Sequence, residues 1–264
     1  MSLERGLSVF LITLNEADNL PRCLASLPKG AEIVVVDSSS ADDTKSIARA
    51  FGAKVFDRDF DNYGSQKNFA LAQTTREWAL SIDADEELSP ELCRAIESIV
   101  RDSPSEAVGY YLKRRLRFMG RLMSFGKTID YPLRLFRRGQ GRFVGEIHEK
   151  VRCEGPVIKL RGGYMSHLSY KNLADYFDRF NRYTTRIANS HRSAQKRVFF
   201  PLHLARPWLE FFNRYVIRLG FLDGYPGYVY ALNSSLYAFI KYSKLIEEAR
   251  YIRSEGKQDC HMAP

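Results

Sequence analysis

With 264 residues, 45% of them hydrophobic and 27% charged, the chain is long enough for one large α/β domain, or one domain with an appendage, and too apolar to be disordered. Its 40 Lys and Arg against 31 Asp and Glu give a net charge of +9, which suits an anionic partner: a nucleic acid, a phosphorylated glycan or a membrane surface. The four cysteines (Cys23, Cys93, Cys153, Cys260) lie far apart without CxxC spacing, which speaks against disulfides and zinc and fits a reducing compartment.

Leu7 to Leu14 is an apolar run of strand length, too short for a secretory signal and stopped by Asn15-Glu16. Leu20, Cys23, Leu24 and Leu27 then recur at helical spacing until Pro28-Lys29-Gly30. Glu32 to Asp37 reads as a second, β-branched strand. Asp42-Asp43-Thr44 caps a helix with Ile47, Ala48 and Phe51 on one face, and residues 53–56 form a third strand. This rhythm predicts a parallel sheet, in which ligands sit at the carboxyl ends of the strands. Polar clusters fall at those ends: Thr13-Asn15-Glu16, Asp37-Ser38-Ser39 and Asp83-Asp85. There is no GxGxxG and no P-loop, so a dinucleotide fold or a P-loop ATPase is disfavoured.

Residues 62–72 read as a loop and helix, with Lys67 and Asn68 near its start. Lys67 can reach a nucleotide or its phosphates, and Asn68 can tie the helix to the loop that follows the next strand. That strand, Ala79-Leu80-Ser81-Ile82, runs into Asp83-Ala84-Asp85-Glu86-Glu87. If the chain bends at small Ala84, the carboxylates of Asp83 and Asp85 aim at one point. They then suit a hard divalent cation that also holds phosphate oxygens, with Glu87 within reach. The same stretch also reads as a polar loop before the helix begun by Ser89-Pro90-Glu91.

The pieces LITLNEADNLPRCLASL, IVVVDSSSADDTKSIARAFGAKV, GSQKNFALA and WALSIDADEEL, in this order and spacing, resemble family 2 glycosyltransferases of the GT-A fold. The resemblance implies an α/β mixed sheet flanked by helices, and inverting transfer of a sugar from a UDP-sugar with Mg²⁺ or Mn²⁺. It implies that Thr13, Asn15 and Glu16 line the nucleotide pocket, with Ser39 beside Asp37, which faces base or ribose. Asp83 faces ribose or metal, Asp85 is the metal ligand, and Lys67 stands where the family often has arginine.

Residues 108–115 and 132–138 read as strands with basic ends, and 142–151 as a further strand. Inversion needs a carboxylate to take the acceptor's proton. Glu146 and Glu149 are the candidates, on opposite faces if the segment is a strand. The segment resembles the GxxHE element of lipopolysaccharide-core glycosyltransferases, which favours Glu149 over Glu146. Members of the fold place a late histidine near the diphosphate or metal, which points to His167 more than His148. Basic residues in 113–121 and 134–142 suit a phosphate-bearing acceptor. No nucleic-acid-binding motif is present.

Asn172 caps a helix carrying Leu173, Tyr176, Phe177, Phe180, Tyr183 and Ile187. An aromatic-rich segment with Arg206, Arg214 and Arg218, a turn at 220–227 and a helix over 228–250 follow, then a polar tail over 251–264. No apolar run reaches the roughly 18 residues a spanning helix needs. Aromatic residues beside Lys and Arg suit a membrane–water interface, and equally suit packing on the catalytic domain or on a second subunit of a homo-oligomer. Residues 181–188 and 211–245 resemble the lipopolysaccharide-core β-1,4-glucosyltransferase group. The expected organisation is a catalytic domain over 1–168, its nucleotide-sugar half 1–100 and its acceptor half 101–168, followed by a helical region over 169–264. The resemblance implies transfer of a hexose, most simply glucose, to an inner-core heptose of lipopolysaccharide or another phosphorylated glycolipid, by a cytoplasmic protein peripheral to an anionic inner membrane. Polyprenyl-phosphate and capsule or exopolysaccharide transferases are the rival enzymes, and a non-catalytic sugar-nucleotide-binding protein the rival of another class.

Overall fold

The computed structural model describes residues 4–102, 106–145, 149–193 and 200–259. Two compact units make up the chain, residues 1–116 with 129–168, and residues 117–128 with 169–264.

The first unit opens with β1 (Glu4–Thr13), α1 (Leu20–Ala25), β2 (Glu32–Asp37), α2 (Thr44–Ala50), β3 (Lys54–Asp57), α3 (Tyr63–Ala72) and β4 (Arg76–Ser81). β1 pairs in parallel with β2 and β4, and β2 with β3, as the β-α-β rhythm requires. The next elements are β5 (Glu86–Leu88), α4 (Pro90–Asp102), β6 (Gly109–Tyr111), β7 (Arg114–Phe118), β8 (Arg121–Leu122), which belongs to the second unit, β9 (Ile129–Asp130) and β10 (Leu133–Arg137). β10 enters the sheet antiparallel to β4 and β6, which makes the sheet mixed. Then come β11 (Gly141–Val144), β12 (Lys150–Cys153), β13 (Val157–Lys159) and β14 (Met165–His167). The main sheet has the order β13-β6-β10-β4-β1-β2-β3. β14 lies between β5 and β7 in a smaller sheet. The two-residue alternation of the strands feeds two cores. Val9, Leu11, Val35, Leu80 and Leu135 join Leu92 and Ile96 of α4 on one face, while Phe10, Val34, Val36, Ala79 and Phe136 join Phe143 on the other. This is the mixed sheet with flanking helices expected of the GT-A fold.

Three expectations change. Residues 142–151 are not one strand: the chain takes φ 97° at Gly145, and β11 and β12 pair with each other as antiparallel neighbours. Glu149 therefore lies in the connection, where strand alternation no longer assigns it a face; Glu146 and His148 lie outside the described residues. Residues 108–115 divide between β6 in the main sheet and β7 in the small one. Phe51 follows the last residue of α2 and is 41% exposed, so it is not part of the buried face.

The second unit contains α5 (Leu173–Ser193), α6 (Phe200–Phe212), a π-helical turn over Asn213–Ile217 and α7 (Gly224–Asp259). Asn172 caps α5 as expected, accepting from the Asp175 amide at 2.9 Å. Buried Asp223 accepts from the backbone amides of Ser124 and Phe125, at 3.0 and 2.8 Å, and so fixes residues 117–128 to this unit. The expected tail over 251–264 begins later, because α7 runs on to Asp259. No helix among the described residues is long and apolar enough to cross a membrane.

Candidate functional site

Parallel pairing sets Thr13 opposite Asp37, so β1 and β2 end together. Asp37 is fully buried. It accepts from Thr13 Oγ1 at 2.8 Å, from the Ser40 amide at 2.8 Å and from Ser40 Oγ at 2.6 Å. Asn15 adopts φ 55° and Ser39 φ 65°, a left-handed backbone uncommon outside glycine. The Asn15 side-chain oxygen accepts from the Ala41 amide at 2.9 Å, and the Asn15 backbone N–H donates to Ser40 Oγ. Glu16 accepts from Asn19 Nδ2 at 2.8 Å, and Ser39 Oγ donates to Asp59 at 3.3 Å. Thr13, Asn15, Glu16, Asp37 and Ser39 thus share one sheet edge, and their polar atoms also hold its loops in shape.

The chain leaves β4 at Ser81 and turns through Asp83-Ala84-Asp85 into β5. Glu86, at 1% exposure, closes this turn by accepting from the Asp83 amide at 2.9 Å, while its own amide donates to the Asp83 carbonyl. Burial would push the Asp83 carboxyl up, but Arg134 and Lys67 beside it hold it well below the usual carboxylate range. Arg134 reaches Asp83 Oδ2 at 2.5 Å and Glu86 Oε1 at 2.9 Å. Lys67 reaches Asp83 Oδ1 at 3.0 Å. Arg114 closes the back of the cluster, on Glu86 at 3.0 Å and on Asp130 at 2.6 Å. Burial opposes the charge of both arginines, and the carboxylates around them nonetheless raise their affinity for the proton.

Asp85 points elsewhere. Its Oδ2 lies 3.2 Å from His167 Nε2, and its carbonyl accepts from the Leu168 amide at 2.9 Å. β14 places His167 opposite Glu86 in register. Burial favours neutral imidazole, but the Asp85 contact and the nearby Glu86 raise the His167 pKa overall. In octahedral coordination with bonds of about 2.1 Å, adjacent ligand atoms sit about 3 Å apart. The Asp85–His167 separation therefore fits two adjacent positions on a Mg²⁺ or Mn²⁺ ion, and a carboxylate with an imidazole is a suitable donor pair for Mn²⁺. Among the described residues no cluster of three or more His, Cys, Asp or Glu is arranged to hold a metal. Further ligands would thus be water or phosphate oxygens, the usual arrangement for Mg²⁺. Asp83 directs both oxygens at cations, and Glu87 is paired with Arg22 at 3.6 Å.

Lys67 stands on α3, 5% exposed, and its Nζ also lies 2.9 Å from Glu149 Oε1. One ammonium thus links the Asp83 turn to Glu149. The sequence led us to expect Asn68 to tie α3 to the Asp83 loop; its side-chain amide instead exchanges two hydrogen bonds with the Phe143 backbone on β11, at 3.0 and 2.9 Å. A Cβ on Gly64 would come within 2.5 Å of the Gly145 carbonyl, so only glycine lets α3 approach the chain here. These two contacts fix the start of the connection that carries Glu149.

Arg134 and Glu86 were missed by the motif reading. A charged residue between Leu133 and Leu135 in a buried strand was the available signal, because such a charge needs buried partners. Several arginines expected to meet an anionic acceptor serve internal pairs instead: Arg114 and Arg134 as above, Arg137 on Glu77, and Arg138 on Thr74.

Residues 8–142 match the model of glycosyl transferase family 2. The chain is 31% identical over 253 residues to the lipopolysaccharide core biosynthesis glycosyltransferase LpsC of Rhizobium meliloti, covering 91% of this chain and 92% of that protein. It is 30% identical over 256 residues to an uncharacterized glycosyltransferase of Rickettsia typhi, covering 92% and 87%. Among solved structures it is similar to S. aureus TarS, at 17% identity and TM-score 0.44, covering 96% of this chain and 91% of that one. It is also similar to glucosyl-3-phosphoglycerate synthase from Mycobacterium tuberculosis in complex with Mn²⁺, UDP-glucose and phosphoglyceric acid, at 25% identity and TM-score 0.33, covering 44% and 45%.

Proposed function

The chain belongs to glycosyl transferase family 2, and from that premise we propose that it is a metal-assisted, inverting hexosyltransferase that moves glucose from UDP-glucose to a heptose of the lipopolysaccharide inner core. One observation carries the chemical part: Lys67 joins Asp83 to Glu149 beside the Asp85–His167 pair, where the parallel strands end. The acceptor class rests on the similarity to a lipopolysaccharide core enzyme.

In this reading Thr13, Asn15, Glu16, Asp37 and Ser39 frame the nucleoside. Asp85 and His167 would hold Mg²⁺ or Mn²⁺, which when bound neutralises charge on the departing diphosphate. Arg134 and Glu86 keep the Asp83 turn rigid. Glu149 takes the proton of the acceptor hydroxyl while that oxygen bonds to the anomeric carbon from the face opposite the diphosphate. The bond from that carbon to the diphosphate oxygen breaks, its electron pair leaves with UDP, and the configuration inverts. Before the donor arrives, Lys67 is paired with Glu149. A diphosphate competes for the same ammonium, so donor binding releases the base when the sugar is in place.

The test is UDP release from a panel of UDP-sugars with Mg²⁺ or Mn²⁺ and purified truncated lipopolysaccharide, comparing wild type with Asp85→Ala and Glu149→Gln. Release stimulated by the acceptor and lost in both variants is the expected result. Activity surviving Asp85→Ala removes the metal role. Full activity of Glu149→Gln points instead to a polyprenyl phosphate acceptor, which is already ionised and needs no base.

A further inference from the structure

The positive excess of the chain is confined to one unit. Residues 117–128 and 169–264 hold 18 Lys and Arg against 8 Asp and Glu, whereas the remaining residues hold 22 against 23. Among its described residues the basic unit also exposes large apolar side chains. Between α6 and α7 lies a cavity of about 430 Å³ whose walls include Trp208, Phe211, Leu232, Leu236 and Phe239. The Ser235 hydroxyl in its wall is already donated to the Pro207 carbonyl at 2.9 Å. On the same two helices and the segment between them, Trp208 is 77% exposed, Ile217 62% and Tyr225 69%, with Leu209 and Phe212 also open to solvent. Exposed apolar surface on this scale marks an interaction site.

We propose that the α6–α7 face docks this protein on an anionic lipid bilayer, with the aliphatic and phenyl side chains entering the acyl boundary and Trp208 and Tyr225 resting at headgroup depth. No described helix can span a bilayer, so the attachment is interfacial. Charge separates a bilayer from a second copy of the chain. Self-association through this face would bring together two units that each carry an excess of ten positive charges, whereas the same excess is attracted to anionic headgroups. The inference stands apart from the transfer chemistry and does not require it.

The two tryptophans make the test direct. Trp78 is buried at 1% exposure and Trp208 is open, so a vesicle-dependent change in tryptophan emission reports Trp208. The full chain is titrated with vesicles of phosphatidylcholine, alone and mixed with phosphatidylglycerol, and co-sedimentation is followed in parallel. The expected result is a blue shift and co-sedimentation with the mixed vesicles, weakened roughly tenfold or more at high salt. Trp208→Phe should keep co-sedimentation and lose the shift. Phe239→Glu should lose co-sedimentation while its thermal melt stays near wild type; Trp208→Ser, at the more exposed position, serves if that variant does not fold. No binding to either vesicle, or equal binding to both, overturns the proposal. So does an emission shift that appears without lipid as protein concentration rises, with a dimer mass in sedimentation, because that result assigns the face to a second copy.

Discussion

Replacing Lys67 by methionine removes one buried charge while nearly preserving side-chain length, and it tests how the site is wired. Lys67 Nζ sits 3.0 Å from Asp83 Oδ1 and 2.9 Å from Glu149 Oε1. Asp83 keeps Arg134 in the variant, but among the described residues Lys67 is the sole ion-pair partner of Glu149. The Glu149 side chain is 18% exposed, so its charge loses its partner without gaining full hydration. Breaking a buried pair costs about 3–5 kcal/mol, and this partial solvent access puts the expected loss near the lower figure. At about 2–4 °C per kcal/mol for a domain of this size, Tm should fall by about 6–12 °C. Adding Glu149→Gln removes the stranded charge and should restore about 2 kcal/mol, the worth of a charge-assisted hydrogen bond. Urea unfolding of wild type, both single variants and the double variant gives the coupling energy directly. Activity should show the same linkage: Glu149→Gln abolishes transfer, and Lys67→Met costs little more in its presence. A coupling below about 0.5 kcal/mol, within the scatter for independent sites, would refute the pairing and with it the release of the base by the donor.

Three other outcomes are expected. Asp85→Asn and His167→Ala should each lose divalent-ion stimulation of UDP release, measured by titrating Mg²⁺ and Mn²⁺ into chelator-treated protein, with far-ultraviolet circular dichroism unchanged. Gly64→Ala should destabilise the fold by about 1–3 kcal/mol in urea, and lower kcat more than donor affinity, because the added methyl meets the Gly145 carbonyl ahead of Glu149. Glu32→Gln probes the opposite sheet region. Burial would raise the Glu32 pKa, but hydrogen bonds from Lys54, Ser8 and Thr75 lower it from 4.5 to about 2. A depressed folded-state pKa stabilises the protein above pH 4.5 and loses that contribution as pH falls towards 2. The variant should therefore be less stable by about 2–3 kcal/mol at neutral pH, with the gap closing over that acid range in pH-dependent urea melts.

The parallel half of the fold was legible in the residues themselves. Strand-length apolar runs, each ended by polar residues and separated by helical spacing, dictate β1 to β4 and bring Thr13, Asp37 and Asp83 to one edge. The helix start pointed to Lys67, and the resemblance drew Glu149 and His167 into the candidate site, but motif spacing says nothing about which of them touch. Tertiary structure decided that Asp83 faces Lys67 and Arg134 while Asp85 faces His167, because partners 16 to 82 residues apart meet only after β10, β14 and the segment after β11 have packed against the first sheet. It also decided that Asn68 braces β11, and that Arg114 and Arg134 are engaged by the buried carboxylate of Glu86. Local sequence fixes what a side chain can donate or accept. Whether Arg134 meets an acceptor or Glu86 depends on which strand lies beside β4, and long-range pairing supplies that answer. The charge partition was mostly countable from the chain, since residues 169–264 alone hold 15 Lys and Arg against 8 Asp and Glu; the tertiary structure added the three basic residues of 117–128 and showed that the same unit exposes Trp208.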